Sequence, residues 1–540
     1  MRTLDVIGAS GRAAREGEPA GRTRRAPFDF PNGDPHAGVK HYDEYRSDLE
    51  LDCDVVVVGS GPGGAVVAKE LAEGGRDVVL LEEGPPFGKK DFVQEAGEAM
   101  HRMLREGGTR ATRGNMFIPT MQANALGGGS LINSAICARP PAWIWEKWHR
   151  ATGVEIDDAT LAPHFDRVEE FLFCGPTPIE VQGPRNLLFK QGCDALGISS
   201  EPTWRNVAGC RGSGECFTGC RNGAKKSTDV SYVPAAIRAG ARVYTSVRAE
   251  RVVMEGRRAT MLLGHVVEPF TGRATHSVRV RAKTIVLAAG CMQTPLILEE
   301  SRALPGCAWV GKELMLHPGL AIMAVYDEPI DPWAGATQGY HSLHHLREGI
   351  KLEVLWSPPA VLAARLPGLG RDYQGHLLDY QRMAPFDVII AADRSRGEVR
   401  TKRGSHDPAL TFDFHDDDVK LIQKGLGILS DICWASGAKA ILPGIHGIPE
   451  ILHSKEESEI LRTMKLRGSD TITAANHAFG STRMSKLASQ GVVDGYGRCH
   501  QTDNLYIADT GIFASSPAVN PMLAVMALAD RIACHLLEAG

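Results

Sequence analysis

The chain has 540 residues, 43% of them hydrophobic, with 60 basic against 64 acidic residues and a formal net charge of -4. That length and apolar content suit a large core in more than one domain and exclude a disordered or fibrous chain. Near-balanced charge, with a sequence pI of about 6.6, leaves no single-signed field of the kind that binds nucleic acid.

Residues 1–50, rich in Gly, Arg and Ala, read as an N-terminal extension. They lack the apolar core of a secretory signal, and no apolar run follows the twin arginine Arg24-Arg25. No segment reaches the apolar length of a membrane span, so a cytoplasmic location is expected. Of the 12 cysteines, Cys53, Cys137, Cys174, Cys193, Cys291, Cys307, Cys433, Cys499 and Cys534 are scattered singly. They are expected to be buried reduced thiols, not a disulfide scaffold.

From Asp54 the chain reads DVVVVGSGPGGAVVAKELAEGGRDVVLLEEGP. The valine run suits a strand buried on both faces of a parallel sheet. Val67, Ala68 and Leu71 carry helical spacing, and a second strand over 77–81 ends in acid. Between strand and helix, Gly59, Gly61 and Gly64 stand in G-x-G-x-x-G order. They allow a tight turn, close approach to a pyrophosphate and close helix packing, while the helix start offers free N–H groups to the anion. Glu82 is placed to hydrogen-bond a ribose hydroxyl. The loop predicts a dinucleotide fold without choosing between NAD and FAD.

Further on, residues 241–254 and 259–280 alternate like a β-meander leading into a buried strand over 284–289 and a helix over 294–301. A nucleotide domain built from discontinuous segments, 51–139, 224–320 and 472–540, is therefore expected. Residues 140–223 and 321–471 would form an α+β substrate domain with an antiparallel sheet and the cysteine loop. Within it, DDDVKLIQKGLGILSDICWASGAK has apolar residues at helical spacing, Asp in the first turn and Gly437 as a stop.

Five blocks between about 52 and 537 resemble the glucose-methanol-choline (GMC) oxidoreductases, FAD enzymes that oxidise alcohols. They are the glycine loop with Glu82; ALGGGSLINSAICAR; AAGCMQTPLILEESR; GKELMLHPG; and HAFGSTRM through DNLYIADTGIFASSPAVNPMLAVMALADRIA. The third departs from the family pattern at Cys291 and Arg302. The resemblance implies FAD as cofactor, held by Gly59, Gly61, Gly64, Glu82, Gly128, Gly129, Ser130, Asn133, Gly290, Asp509 and Pro521. It implies His477 at the reactive edge of the flavin and Asn520 as its polar partner, with His317 structural. An alcohol gives up hydride only as its O–H proton leaves, so a base must stand within reach of that oxygen, and neutral imidazole suits the task. Asn520 would hold the same oxygen. Since Asn520 precedes Pro521, it is also placed to cap the helix expected over 521–535.

GCRGSGECFTGCRNGAKKST groups Cys210, Cys216 and Cys220 in one glycine-rich loop. Two readings stay open: reduced thiols in a loop over the flavin, or ligands of a [3Fe-4S] iron–sulfur cluster, whose chemistry uses thiolates. The spacing resembles that of cluster-bearing bacterial flavin dehydrogenases of the family. An apolar or long-chain alcohol is expected as substrate, because the loop resembles that of long-chain alcohol oxidases and LEVLWSPPAVLAARLPGLG has few charges. Oxygen or an electron carrier would be the acceptor. The alternatives are a cluster-containing dehydrogenase of a sugar or other alcohol, delivering to a cytochrome or quinone, and a flavin-retaining lyase.

Overall fold

The computed structural model describes residues 33–539. Two sheets organise the chain. The first has eight strands, in the order Val39–Lys40, Arg242–Tyr244, Val78–Leu81, Leu49–Val58, Ala274–Leu287, Arg258–Val267 and Val247–Glu255, with Leu505–Ile507 also paired to Ala274–Leu287. Its nucleotide half is parallel and its meander antiparallel. Val56 and Val57 are fully buried, flanked by strands on both sides and packed against the helix Pro62–Glu73.

Two features depart from the expected segmentation. Val39–Lys40 and the start of Leu49–Val58, inside the expected extension, are strands of this sheet. The helices Ala142–Thr152 and Asp158–Phe171, expected in the substrate domain, bury Trp145, Trp148 and Phe165 in the nucleotide-domain core. The twin arginine and the rest of residues 1–32 lie outside the described residues. Trp148 is fully buried, 5.2 Å from the Trp145 ring and 5.0 Å from Phe513, and its Nε1 donates to Ser515 Oγ at 2.9 Å. Trp148→Ala is expected to cost about 3–5 kcal/mol, read as a lowered denaturant midpoint.

The second sheet is antiparallel and six-stranded: Ala440–Leu442, Gly319–Val325, Met383–Ile390, Ile350–Val354, Tyr340–Ser342 and Glu201–Pro202. The helix Asp416–Ala435 packs one face, where Ile350, Leu352 and Val354 meet Ile422 and Leu426. Successive strand residues point to opposite faces, so Lys351 and Glu353 turn the other way. His341, Glu353 and Asp387 are direct cross-strand partners, which makes a row of titratable side chains on the face opposite the helix.

All 12 cysteines are free. Of the scattered nine, Cys53, Cys174, Cys307 and Cys534 are only half-buried, against the expectation that all would be core thiols. Among the described residues, no helix is long and apolar enough to cross a membrane.

Candidate active site

Strand Leu49–Val58 ends at Gly59, whose φ of +98° and distance of 2.3 Å from a would-be Cβ to Ala288 O admit no side chain. Pro62 then opens the helix Pro62–Glu73. Glu82 joins this loop to the next strand: Ser60 N and Oγ donate to it at 2.9 and 2.6 Å, and Gly84 N at 2.8 Å. Burial pushes its carboxyl up, against those three hydrogen bonds. A carboxylate has about four lone-pair sites, so acceptor capacity remains for a ribose hydroxyl.

The second glycine block lies against the first, with a would-be Cβ on Gly128 only 2.8 Å from Gly61 Cα. Gly59, Gly61, Glu82, Gly128, Gly129, Asn133, Gly290, Asp509 and Pro521 all line one cavity of about 1050 Å³, and His477 and Asn520 line the same cavity. Two of the expected cofactor residues do not. Gly64 packs against Gly59 O and Ala288, the third-glycine role in the loop. Ser130 turns into the protein, its Oγ on Gly127 O at 2.6 Å and Thr228 Oγ1 at 2.9 Å. Asp509 accepts from Gly290 N at 3.0 Å, Thr294 Oγ1 at 2.6 Å and Gly511 N at 2.8 Å. This carboxylate thus clamps the third sequence block to the fifth, while burial raises its pKa. The wall fits FAD: an extended cavity edged by bare backbone, with open space over Gly129 and Gly290 where a Cβ would project.

On the same cavity, His477 precedes the short strand Ala478–Phe479, which pairs with Met315–Leu316, so His317 N donates to His477 O at 3.2 Å. The two imidazoles meet edge-on, Nδ1 to Nδ1 at 3.2 Å, and His317 Nε2 lies 2.6 Å from Ser516 Oγ. Asn520 Nδ2 stands 3.4 Å from His477 Nε2. Asn520 does not cap the helix Met522–Glu538; Pro521 occupies that position without a side-chain cap. Its Oδ1 instead accepts from Lys351 Nζ at 2.5 Å, and Lys351 also bonds Glu353, which Gln338 holds from the far side. Burial holds the His477 imidazole down to about 4; Glu353 opposes this and Lys351 adds to it.

Lys351, Glu353, Gln338, Arg365 and Asp387 have no counterpart among the residues expected from sequence. The alternation in KLEVLW contained the signal, because period two puts Lys351 and Glu353 on one face. Of its apolar members, Leu352 and Val354 face the helix core, while Leu355 and Trp356 past the strand's end line the cavity. Gln338, Glu353, Arg365 and Asp387 line the cavity. Asp387 Oδ1 is buried with no hydrogen-bond partner among the described residues, and burial and then Glu353 push its carboxyl up to about 7.

The cysteine loop forms part of the same wall through Phe217 and Thr218, with Phe217 stacked on Trp356 at 5.2 Å. Arg205 Nη2 donates to Cys216 Sγ at 2.8 Å. Lys225 Nζ bonds Cys216 O at 2.7 Å and Asn133 O at 3.1 Å, tying the loop to the second glycine block. Burial alone would raise the Cys216 thiol, but the Arg205 and Lys225 cations outweigh it and lower its pKa. Cys210, Cys216 and Cys220 line a void of about 10 Å³, the size of one water site. The donor set suits a cluster, whereas the space as closed does not fit one. Among the described residues, the group of metal-ligand types with all donor atoms within 4.8 Å is His164, Asp530 and Cys534, and the Arg167 guanidinium already pairs with its Asp530.

Family models described as GMC oxidoreductase match residues 100–319 and 393–529, and one described as FAD binding domain matches 54–111. An uncharacterized GMC-type oxidoreductase of Mycobacterium tuberculosis is 30% identical over 92% of this chain and 80% of its own. The long-chain-alcohol oxidase FAO3 of Arabidopsis thaliana is 26% identical over 93% of this chain and 70% of its own. The crystal structure of pyridoxine 4-oxidase from Mesorbium loti has the same fold, with a TM-score of 0.66 at 18% identity over 89% of this chain and 99% of that one. Interlocked glycine blocks on one cavity and this full-length similarity agree: the chain belongs to the GMC oxidoreductase family, FAD-dependent enzymes acting on CH–OH groups.

Proposed function

We propose that the protein oxidises an alcohol to an aldehyde or ketone, with His477 as base and Asn520 as its hydrogen-bonding partner. The observation that carries this reading is the pair His477 Nε2 and Asn520 Nδ2, 3.4 Å apart on the cavity that the glycine blocks also line. FAD, when bound, supplies the acceptor for the hydride of the carbinol carbon. The alcohol oxygen sits between imidazole and amide, and its proton passes to His477 Nε2 as the C–H bond breaks. Asn520 donates to that oxygen and aims the C–H bond. Closure of the wall by Phe217 and Trp356 helps to exclude water.

Two substrate classes divide the support. A long-chain primary alcohol is suggested by the name of the plant relative. An alcohol carrying further hydroxyls, such as a sugar, is favoured by Gln338, Glu353, Arg365 and Asp387 on the cavity wall and by the unpartnered Asp387 Oδ1. The test is flavin bleaching without oxygen by 1-dodecanol and, separately, by sorbitol. Bleaching by neither, with cyanohydrin cleaved and the flavin left oxidised, would replace the redox reading by the lyase. Peroxide released in air would assign oxygen as acceptor. Brown absorbance beneath the flavin bands would favour a cluster at Cys210, Cys216 and Cys220, reached by opening of the loop, and a carrier as acceptor.

The acid limb of flavin reduction tests the base. With the imidazole held to about 4 instead of its ordinary 6.5, the base is neutral above that value. The rate should stay flat as pH falls through 6.5 and halve only near 4. A limb near 6.5 would mean that the titrating base is not this buried imidazole.

A further inference from the structure

Lys351 stands behind Asn520 on the strand Ile350–Val354, 1% exposed, and is not part of the cavity wall. Its ammonium is a donor with no acceptor capacity. The two ends of an asparagine amide look alike in outline, and their assignment follows from their partners. An atom 2.5 Å from an ammonium must be the oxygen, so the Asn520 NH2 group is forced toward His477. An NH2 group only donates, so His477 Nε2 must present its lone pair and carry the ring proton on Nδ1. That nitrogen lies 3.2 Å from His317 Nδ1, which must then accept. His317 therefore bears its own proton on Nε2, toward Ser516 Oγ at 2.6 Å. One cation orders every proton along Lys351, Asn520, His477, His317 and Ser516.

Building on the reading of His477 and Asn520 as the alcohol-handling pair, we propose that Lys351 is a positioning residue, fixing the Asn520 amide and through it the His477 tautomer in which Nε2 is free to take a proton. Glu353, itself held by Gln338, neutralises the buried ammonium. Breaking such a pair from one side strands a charge, whereas removing both charges together is far milder. The pair thus serves orientation and contributes little to stability.

The test is the ¹⁵N spectrum of histidine-labelled, FAD-loaded protein at neutral pH, with His477 assigned from the signals lost in His477→Gln. Wild type should show an unprotonated Nε2 and a protonated Nδ1. Lys351→Arg should keep that pattern. Lys351→Met combined with Glu353→Gln, which leaves no stranded charge, should give mixed or reversed tautomers. An unchanged His477 tautomer in this folded double variant overturns the proposal. Kinetics supply the second readout, using whichever of 1-dodecanol and sorbitol bleaches the wild-type flavin. The double variant should reduce about 10- to 100-fold more slowly at saturating alcohol, the loss expected of a misplaced group. Adding Asn520→Ala should cost little more, because Lys351 acts through Asn520; a full additive loss would overturn the inference. If neither alcohol bleaches the flavin, the alcohol reading fails, while the tautomer comparison still decides the role of Lys351.

Discussion

His477→Ala is expected to leave FAD bound, with the spectrum of oxidised flavin intact, and to slow alcohol-driven flavin reduction by about 10²- to 10⁴-fold, the range for loss of a general base. The imidazole's hydrogen-bond partners are Asn520 and His317, and neither belongs to the glycine loop. Its removal should therefore spare cofactor retention. The structural cost falls on His317 Nδ1 and Asn520 Nδ2, each of which loses its His477 partner in a buried site, at roughly 1–3 kcal/mol per group. Stopped-flow reduction without oxygen separates the two effects, since a merely destabilised protein loses flavin and a base-deficient one keeps it oxidised. Reduction at the parent rate would remove His477 from the base role.

Gly63→Ala should abolish FAD binding by displacing the first helix. A Cβ at this position would sit 1.7 Å from Ala508 O. That obstacle is backbone just past the strand Leu505–Ile507, not the far end of a flexible side chain, so no rotamer relieves it. The helix Pro62–Glu73 must tilt away, and its N-terminus leaves the cavity that Gly59, Gly61 and Gly63 line together. The cost should lie at or above the upper end of the roughly 1–3 kcal/mol typical of overpacked cores. Gly129→Ala is the control, because a Cβ there meets nothing within 4 Å. It should fold with normal thermal stability and weaken FAD binding only by intruding on the cavity. Equal retention of FAD by both variants would contradict this geometry. Flavin content after gel filtration and the thermal midpoint read the two outcomes.

Gly63 also marks a limit of motif reading. The G-x-G-x-x-G pattern directs attention to Gly59, Gly61 and Gly64 and passes over Gly63. Gly63 is constrained by backbone more than 400 residues away, and no local pattern carries that information. Ser130 fails in the opposite direction. It sits in a family block, yet Thr228 and Gly127 draw its hydroxyl inward, and Thr228 is remote in sequence. The glycine-rich cysteine loop is similar: Gly214 faces Trp333 O and Gly219 faces the Phe92 ring at 1.9 and 2.1 Å from a would-be Cβ. Close packing thus accounts for those two glycines without a cluster to wrap.

The substrate wall gives the clearest contrast. Read by composition, LEVLWSPPAVLAARLPGLG suggests an apolar pocket. Read by period, the strand Ile350–Val354 sends Leu352 and Val354 into the helix core and Glu353 toward the cavity, and only Leu355, Trp356 and Val361 of the stretch's apolar residues reach that wall. Composition counts residues without regard to face, and in a strand the face decides which of them a substrate meets.

By itself, the sequence determined what short-range physics encodes: a buried strand, a glycine turn and a helix in order, and the helix Asp416–Ala435 with its acidic first turn. It also singled out His477, three residues ahead of Gly480 in HAFGSTRM, through the pattern of the block around it. Only the tertiary structure decided that Lys351 faces Asn520, that Asp509 clamps two blocks, and that Arg205 and Lys225 sit against Cys216. The reason is that hydrogen bonds and charge pairs act over a few ångströms in space, whereas the partners that make this site lie from about 10 to more than 200 residues apart along the chain.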